Sequence, residues 1–161
     1  MERLVIGFGS NLGYREKNLR LAREGLAGIW RRPRFSQVYE TLPWGVAEQP
    51  LFLNQVGVGL TNLTPLAVLE ELKALEVRLG REPGPRYGPR LIDLDILAYG
   101  DWVFISEVLC IPHGNLAERA FVLAPLAEVL PEYQHPLTRL TPGEMLEKLN
   151  PDPESYRVYR P

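Results

Sequence analysis

Apolar and polar residues alternate along the chain in blocks that predict an ordered series of strands and helices. An apolar run at residues 4–8 ends in a Gly- and Asn-containing turn at residues 9–13, which is typical of a buried strand. Apolar residues then recur every three or four positions between 19 and 29, which predicts a helix with one apolar face. Two further strands are predicted at residues 34–41 and 52–60.

The second helix has the clearest boundaries. Thr64 can cap its N-terminus, and Pro65 suits the first helical position. Its apolar stripe runs through residues 68–79, and Gly80 predicts a left-handed stop. After a loop, an apolar run predicts another strand at residues 91–99.

The remaining predicted elements are shorter. They are strands at residues 102–105 and 108–111, the start of a helix at 117–123, and a helix at 144–149. The order β-α-β-β-α-β plus extras is the split βαβ pattern, an α+β fold in which helices pack on one face of a mostly antiparallel sheet. The length of 161 residues predicts a single domain, residues 1–161.

Composition narrows the class of function. The formal net charge of −2 lacks the basic footprint of a nucleic-acid-binding protein. No apolar run approaches the roughly 20 residues that span a membrane, and the N-terminus lacks a signal-peptide pattern. We therefore expect a cytoplasmic protein, and nothing demands more than a monomer. Cys110 lies in an apolar run, which predicts a buried, inert thiol.

Two acids interrupt the apolar strand predicted at residues 91–99. Asp93 and Asp95 are two positions apart and project from one face, while Leu94 and Ile96 project from the other. Neighbouring buried carboxylates repel each other and lose hydration, and Mg²⁺, which prefers hard oxygen ligands, would relieve both costs. The alternative is that both acids lie on the solvated face of an edge strand.

Arginines beside these acids favour a phosphate site. Arg86 and Arg90 enter the strand from a Gly-Pro turn, and guanidinium groups can bind phosphate oxygens bidentately. Phosphoryl transfer needs both acids for a metal and cations for phosphates. The segment from Arg86 to Leu97 is therefore predicted to hold magnesium and the triphosphate of ATP.

Several spaced motifs together resemble a known enzyme family. In chain order they are Gly9-Ser10-Asn11-Leu12, Tyr39-Glu40-Thr41 with Pro43 and Gly45, Phe52-Leu53-Asn54, Glu76, Gly80-Arg81, Gly88-Pro89-Arg90, Asp93-Leu94-Asp95, Pro112-His113, and Glu118-Arg119 with Phe121. The sequence resembles the 6-hydroxymethyl-7,8-dihydropterin pyrophosphokinases, folate-pathway enzymes that transfer pyrophosphate from ATP to a pterin alcohol and release AMP. This resemblance implies a ferredoxin-like α/β sandwich.

The resemblance also implies roles for individual residues. Asp93 and Asp95 would bind two magnesium ions, and with Arg81 and Arg90 they would form the catalytic set. The residues implied at the nucleotide are Glu76, Arg81, Arg90, Leu97, His113 and Arg119. The residues implied at the pterin are Thr41, Leu42, Trp44, Phe52, Asn54, Tyr87 and Phe121. The partners would be these small molecules, with no nucleic acid or membrane.

The residue pattern alone supports these roles unevenly. Glu76 shares an apolar helical stripe with Leu72, where an acid is costly unless it is paired, so a functional role and a salt bridge are both open. Phe52 and Asn54 share a strand face that suits a flat heterocycle, although a core Phe and a capping Asn explain the pattern more simply. The sequence at residues 9–11 is, by itself, simply a turn.

The loop at residues 80–89 is longer than the usual connection of about 4–6 residues. We predict that it orders on nucleotide binding and excludes water from the reacting phosphate. The resemblance is incomplete near the nucleotide, where Gly114 replaces a Tyr, and Val108 and Cys110 replace an Arg and a Thr of other members. These differences concern the detail of ATP binding and leave the metal centre intact.

Three other functions remain open. A ferredoxin-like domain can bind RNA through aromatic residues on its sheet. Another ATP-dependent enzyme on this fold would transfer a phosphoryl or a nucleotidyl group, and would release ADP or pyrophosphate instead of AMP. A relative without activity would have a structural role only. No residue in the sequence stands out as a general base.

Overall fold

The computed structural model describes residues 1–43, 48–84 and 88–161, which fold into strands and helices. The strands are β1 (Glu2–Ser10), β2 (Arg31–Phe35), β3 (Tyr39–Thr41), β4 (Phe52–Thr61), β5 (Asp93–Tyr99), β6 (Phe104–Ile105), β7 (Cys110–Ile111) and β8 (Tyr156–Val158). The helices are α1 (Arg15–Gly25), α2 (Pro65–Arg78), α3 (Ala120–Val129) and α4 (Pro142–Leu149), with single 3₁₀ turns at Leu116–Glu118 and Pro153–Ser155.

The main sheet is antiparallel and has the strand order β5-β1-β4-β3-β8, with β2 also paired to β4. The first strand of the chain therefore lies in the middle, between β4 and β5. This is the strand order of a split βαβ fold. It confirms the predicted α+β, ferredoxin-like architecture. The short strands β6 and β7 form a separate hairpin.

Helices cover both faces of the sheet, so the prediction of one covered face is wrong. On one face of the sheet, Leu19 of α1 and Leu72 of α2 pack with buried strand residues. On the other face, Leu126 of α3 packs with buried strand residues. The physical reason lies in β1, where residues 4–6 are all fully buried. Consecutive buried positions are typical of a strand that is covered on both faces.

The predicted boundaries of α2 are confirmed. The Thr64 side chain accepts a hydrogen bond from the Ala67 N–H at 3.2 Å, and Pro65 begins the helix. Gly80, with φ +98°, ends it. The Gly80 N–H donates to the Val77 carbonyl, and the next N–H, that of Arg81, donates to the Glu76 carbonyl. These paired bonds are a Schellman stop, which turns Arg81 back over the last turn of the helix.

The strand predicted at residues 34–41 is two strands, β2 and β3. Ser36 separates them, because its N–H donates to the Val56 carbonyl and its hydroxyl accepts from the Val56 N–H at 3.0 Å. The following N–H, of Gln37, donates to the Glu128 carboxylate on α3 at 3.0 Å. At Ser36 and Gln37, side-chain oxygens of Ser36 and Glu128 therefore accept hydrogen bonds from backbone N–H groups in place of backbone carbonyls.

Cys110 is exposed, so the prediction of a buried thiol is wrong. Its neighbours Leu109 and Ile111 point inward, and the strand alternation turns the residue between them toward solvent.

The C-terminal strand β8 was not predicted; it pairs with β3 and so lies beside Thr41. Within the described ranges, no helix is long and apolar enough to cross a bilayer.

The contact between α2 and the sheet gives a stability prediction. Leu72 is fully buried, so Leu72→Ala is expected to lower the free energy of unfolding by about 2–5 kcal/mol, measured by urea denaturation. Leu66 lies on the same helix with 46% of its surface exposed, and Leu66→Ala serves as the control, with a change of about 0.5 kcal/mol or less. Equal losses for the two variants would contradict this packing.

Candidate active site

A cleft of about 230 Å³ opens over β1, β4 and β5, on the face covered by α3. Its floor is bare because β1 carries Gly7 and Gly9 there. A Cβ on Gly9 would lie 3.0 Å from Asn54 Oδ1 and 4.0 Å from the Asp93 Cβ, so the missing side chain keeps this space open. Gly9 pairs with Asp93 on one side and with Asn54 on the other.

Most of the residues predicted for the site meet in this cleft. Those that line it are Thr41, Leu42, Phe52, Asn54, Arg81, Arg90, Asp93, Asp95, Leu97, His113, Arg119 and Phe121. Trp44 and Tyr87, assigned to the pterin, and Arg86, assigned to the triphosphate, lie outside the described residues. Glu76 does not line the cleft.

Asp93 and Asp95 face the cleft, while Leu94 and Ile96 are buried on the opposite face of β5. β5 is an edge strand, as the alternative supposed, but its acidic face is half-buried rather than solvated. Burial, and then the charge of Asp93, raise the pKa of Asp95 to about 7. Burial and the neighbouring carboxylate thus make the charged form of Asp95 costly.

This pair could hold magnesium. Across the described segments, no three His, Cys, Asp or Glu side chains form a metal cluster, and Asp93 and Asp95 are the acids among the described residues that line the cleft. Magnesium commonly takes one or two carboxylates and completes its shell with water and phosphate oxygens. Two half-buried carboxylates on one strand face repel each other, and a cation bound between them would relieve that cost, so the donor set fits the ion.

The Glu76 carboxylate lies behind the cleft wall and is buried, with 3% of the side chain exposed. One oxygen accepts from Arg81 Nη1 and from the Leu94 N–H at 2.8 Å, and the other is 3.1 Å from Lys73 Nζ. Arg81 Nη1 also donates to Asp93 Oδ1 at 3.0 Å. Glu76 therefore reaches the cleft through Arg81, whose guanidinium it orients.

The opposite wall of the cleft combines an aromatic ring with a fixed amide. Phe52 and Asn54 lie on the same face of β4, as predicted, and both line the cleft. Asn54 Nδ2 donates to Thr41 Oγ1 at 2.6 Å, which fixes the orientation of the amide. A ring to stack on and an oriented amide are suited to a flat, polar heterocycle.

His113 adds a neutral polar group. Burial, and then the charge of Arg119, lower the pKa of His113 to about 4, so its imidazole is neutral at pH 7. Nδ1 accepts from the Asn115 N–H at 3.2 Å, so the ring proton is on Nε2. The His113 side chain is therefore a hydrogen-bond donor in the cleft.

Comparison with known proteins assigns this arrangement to a family. The model of the 7,8-dihydro-6-hydroxymethylpterin-pyrophosphokinase (HPPK) family matches residues 5–131. The chain belongs to the HPPK family. It is 43% identical to the 2-amino-4-hydroxy-6-hydroxymethyldihydropteridine pyrophosphokinase of Methylorubrum extorquens, over 94% of this chain and 96% of that protein. The family resemblance read from the sequence is thereby confirmed.

Some other relatives of this HPPK chain are much longer proteins, and the chain spans about a quarter of their length. It is 47% identical to the mitochondrial folate synthesis bifunctional protein of Arabidopsis thaliana, over 79% of this chain but only 23% of that protein. Plasmodium falciparum HPPK-DHPS A437G, crystallised with pteroate, superposes with a TM-score of 0.75 at 16% identity, over 91% of this chain and 40% of that chain. The latter similarity shows a shared fold.

Sequence reasoning missed two buried polar residues in the HPPK chain. Ser10 ends β1 and Asn11 follows it, and they are 0% and 1% exposed. The Ser10 hydroxyl donates to the Leu91 carbonyl at 2.6 Å, and Asn11 Oδ1 accepts from the Arg90 N–H at 2.8 Å. The sequence signals are their place at the end of a buried strand, which a surface turn would share, and the motif Gly9-Ser10-Asn11-Leu12.

The environment of His113 gives a pH prediction. In proton NMR, the His113 ring is expected to titrate near pH 4, and Arg119→Gln is expected to raise this midpoint because it removes a positive charge. The unfolded chain takes up this proton near pH 6.5, so the free energy of unfolding should fall as pH drops from about 6.5 to about 4. Arg160→Gln, at the exposed C-terminus, is the control. A His113 midpoint above 6 would contradict the buried, cationic environment.

Proposed function

We propose that this protein transfers the pyrophosphoryl group of ATP to the hydroxymethyl group of 6-hydroxymethyl-7,8-dihydropterin and releases AMP. Membership of the HPPK family supports the reaction. The observation that carries the proposal is the row Asp93, Gly9, Asn54 across three adjacent strands. With Asp93 as a metal ligand and Asn54 as the amide that binds the heterocycle, the two proposed sites would meet at one bare glycine.

Asp93 and Asp95 are the proposed ligands of two magnesium ions. When bound, magnesium neutralises phosphate charge and aligns the reacting oxygens. The carboxylates would supply the negative charge that holds the ions, and the half-buried face of β5 would strengthen that attraction by limiting water. Leu97, two positions beyond Asp95 on β5, lines the cleft and would give the nucleotide an apolar surface.

Cationic and neutral donors are proposed for the triphosphate. Arg81 is oriented by Glu76 and would stabilise the negative charge that develops in the transition state. Arg90 and Arg119 would bind phosphate oxygens, and the Nε2–H of His113 would add a neutral hydrogen bond.

The pterin is proposed to lie against β4. Phe52 would stack on the ring system, and Asn54, held by Thr41, would pair with its polar edge. Leu42 and Phe121 line the same cleft. Trp44 and Tyr87 are assigned to the pterin on the family resemblance alone. No general base is assigned, because the Asp carboxylates that would ligate metal are poor ones.

A product assay tests this function. Purified protein with ATP, magnesium and 6-hydroxymethyl-7,8-dihydropterin is expected to form AMP and pterin diphosphate one for one, and EDTA is expected to stop it. Asp95→Asn should lower kcat/KM at least about 100-fold, since metal assistance supplies several kcal/mol. Asp101→Asn, at a side chain that is 89% exposed, is the matched control and should stay near the parent value.

Each other outcome of this assay excludes part of the proposal. ADP in place of AMP would indicate transfer of one phosphoryl group, and pyrophosphate release would indicate nucleotidyl transfer. Full activity of Asp95→Asn would exclude the acid pair as the metal site.

The buried Glu76 carboxylate gives a second prediction. Glu76→Gln removes the charge that orients Arg81, so kcat should fall more than KM for ATP changes. The free energy of unfolding should drop by about 1–3 kcal/mol, because Arg81 and the Leu94 N–H lose a charged acceptor. Glu70→Gln, exposed on the same helix, is the control. An unchanged kcat for Glu76→Gln would contradict the orienting role.

A further inference from the structure

The side chain of Asn11 uses both ends of its amide. Nδ2 donates to Gln49 Oε1 at 2.9 Å and to the Pro50 carbonyl at 3.0 Å. Oδ1 accepts from the Arg90 N–H at 2.8 Å, and the Asn11 N–H donates to the Arg90 carbonyl at 3.0 Å. With 1% of its surface exposed, Asn11 satisfies these bonds within the protein rather than with water.

The two ends of this amide face the two walls of the cleft. Its donor end binds residues 49–50, which lead into β4 and Phe52. Its acceptor end binds Arg90, which leads into β5 and Asp93. Asn11 itself directly follows β1, the strand that carries the glycine floor. One side chain therefore connects the entrances of the two strands that flank the floor.

Neighbouring side chains brace the same turn. The Ser10 hydroxyl donates to the Leu91 carbonyl at 2.6 Å and accepts from Asn18 Nδ2, on α1, at 3.2 Å. Arg15, also on α1, donates to the Leu51 carbonyl at 2.9 Å. Asn18 Nδ2 also donates to the Leu12 carbonyl at 2.9 Å, so helix α1 holds the residues on both sides of Asn11.

We propose that Asn11 is a positioning residue that holds the pterin wall and the phosphate wall of the cleft in register. This inference rests on the proposed pyrophosphoryl transfer. The N–H and the carbonyl of Arg90 are both hydrogen-bonded to Asn11, so the Arg90 guanidinium extends from a fixed backbone. Small displacements of a group that acts on the reacting phosphate are costly, with about 1 Å of error costing up to roughly 100-fold in rate.

Two variants separate the two ends of the amide. Asn11→Ala removes both ends, and we expect kcat to fall roughly 10- to 100-fold while KM for the pterin rises. Asn11→Asp keeps an acceptor for the Arg90 N–H but cannot donate to the Pro50 carbonyl. It should recover most of kcat and keep the raised KM for the pterin. Asn62→Ala and Asn62→Asp, at an exposed loop position, are the controls.

Hydrogen exchange tests the contacts independently of activity. The Arg90 amide should exchange faster in Asn11→Ala than in the parent and stay protected in Asn11→Asp, while the amide of Val5, in the core of β1, stays unchanged in both. If Asn11→Ala does not fold, Asn11→Asp is compared with the parent instead. A raised KM for the pterin in Asn11→Asp then supports the positioning role, and an unchanged KM contradicts it.

A purely stabilising turn gives a different result. The melting temperature of the variants would then fall while kcat and both KM values of the folded protein stayed at the parent values, and this would overturn the inference. Unchanged exchange of the Arg90 amide in Asn11→Ala would also overturn it. If the parent forms no pterin diphosphate, the proposed function fails and the catalytic role of Asn11 fails with it, whereas the exchange result still decides whether Asn11 holds Arg90.

Discussion

The buried carboxylate of Glu76 is the constraint on which the arrangement of the site depends. A charge taken out of water must be paired, and here its partners come from a helix, from the turn that follows it and from a strand. Helix α2 cannot shift against β5 without removing the Leu94 N–H from this acceptor. The turn at Gly80 cannot open without removing Arg81. The ion pair between Glu76 and Arg81 therefore also directs the Arg81 guanidinium toward Asp93.

Strand β5 serves two environments at once. Its Leu94 and Ile96 face joins the core beneath α2, and its Asp93 and Asp95 face borders the cleft. The apolar face fixes the strand, so the repelling carboxylates stay close together although this raises the pKa of Asp95. Stability from one face thus maintains a locally unfavourable charge arrangement on the other, and a bound cation would relieve it. Such local conflicts are expected where a fold carries a functional site.

Local chemistry in the sequence was enough to predict some features. The ends of α2 follow from Thr64, Pro65 and Gly80, and the shared face of Asp93 and Asp95 follows from strand geometry. Other features depend on partners distant in the chain. The second covered face of the sheet, the pairing of β8 with β3 and the break at Ser36 all depend on contacts made with residues 20 to 120 positions away. The hydrogen bonds of Asn11 join three segments of the chain. The local sequence at residues 9–11 does not reveal these bonds, because it would also suit a surface turn that lacks them.

The distance between the two halves of the site is set by the sheet. Asp93 and Asn54 pair with the same residue, Gly9, so they are two strand spacings apart, or roughly 10 Å. Backbone hydrogen bonds fix that spacing, and no loop movement can change it. Loops can change the charge and the water content above the cleft, but the separation of the acid pair from the aromatic wall is a property of three adjacent strands. A substituent larger than hydrogen at position 9 would fill the gap between Asn54 and Asp93.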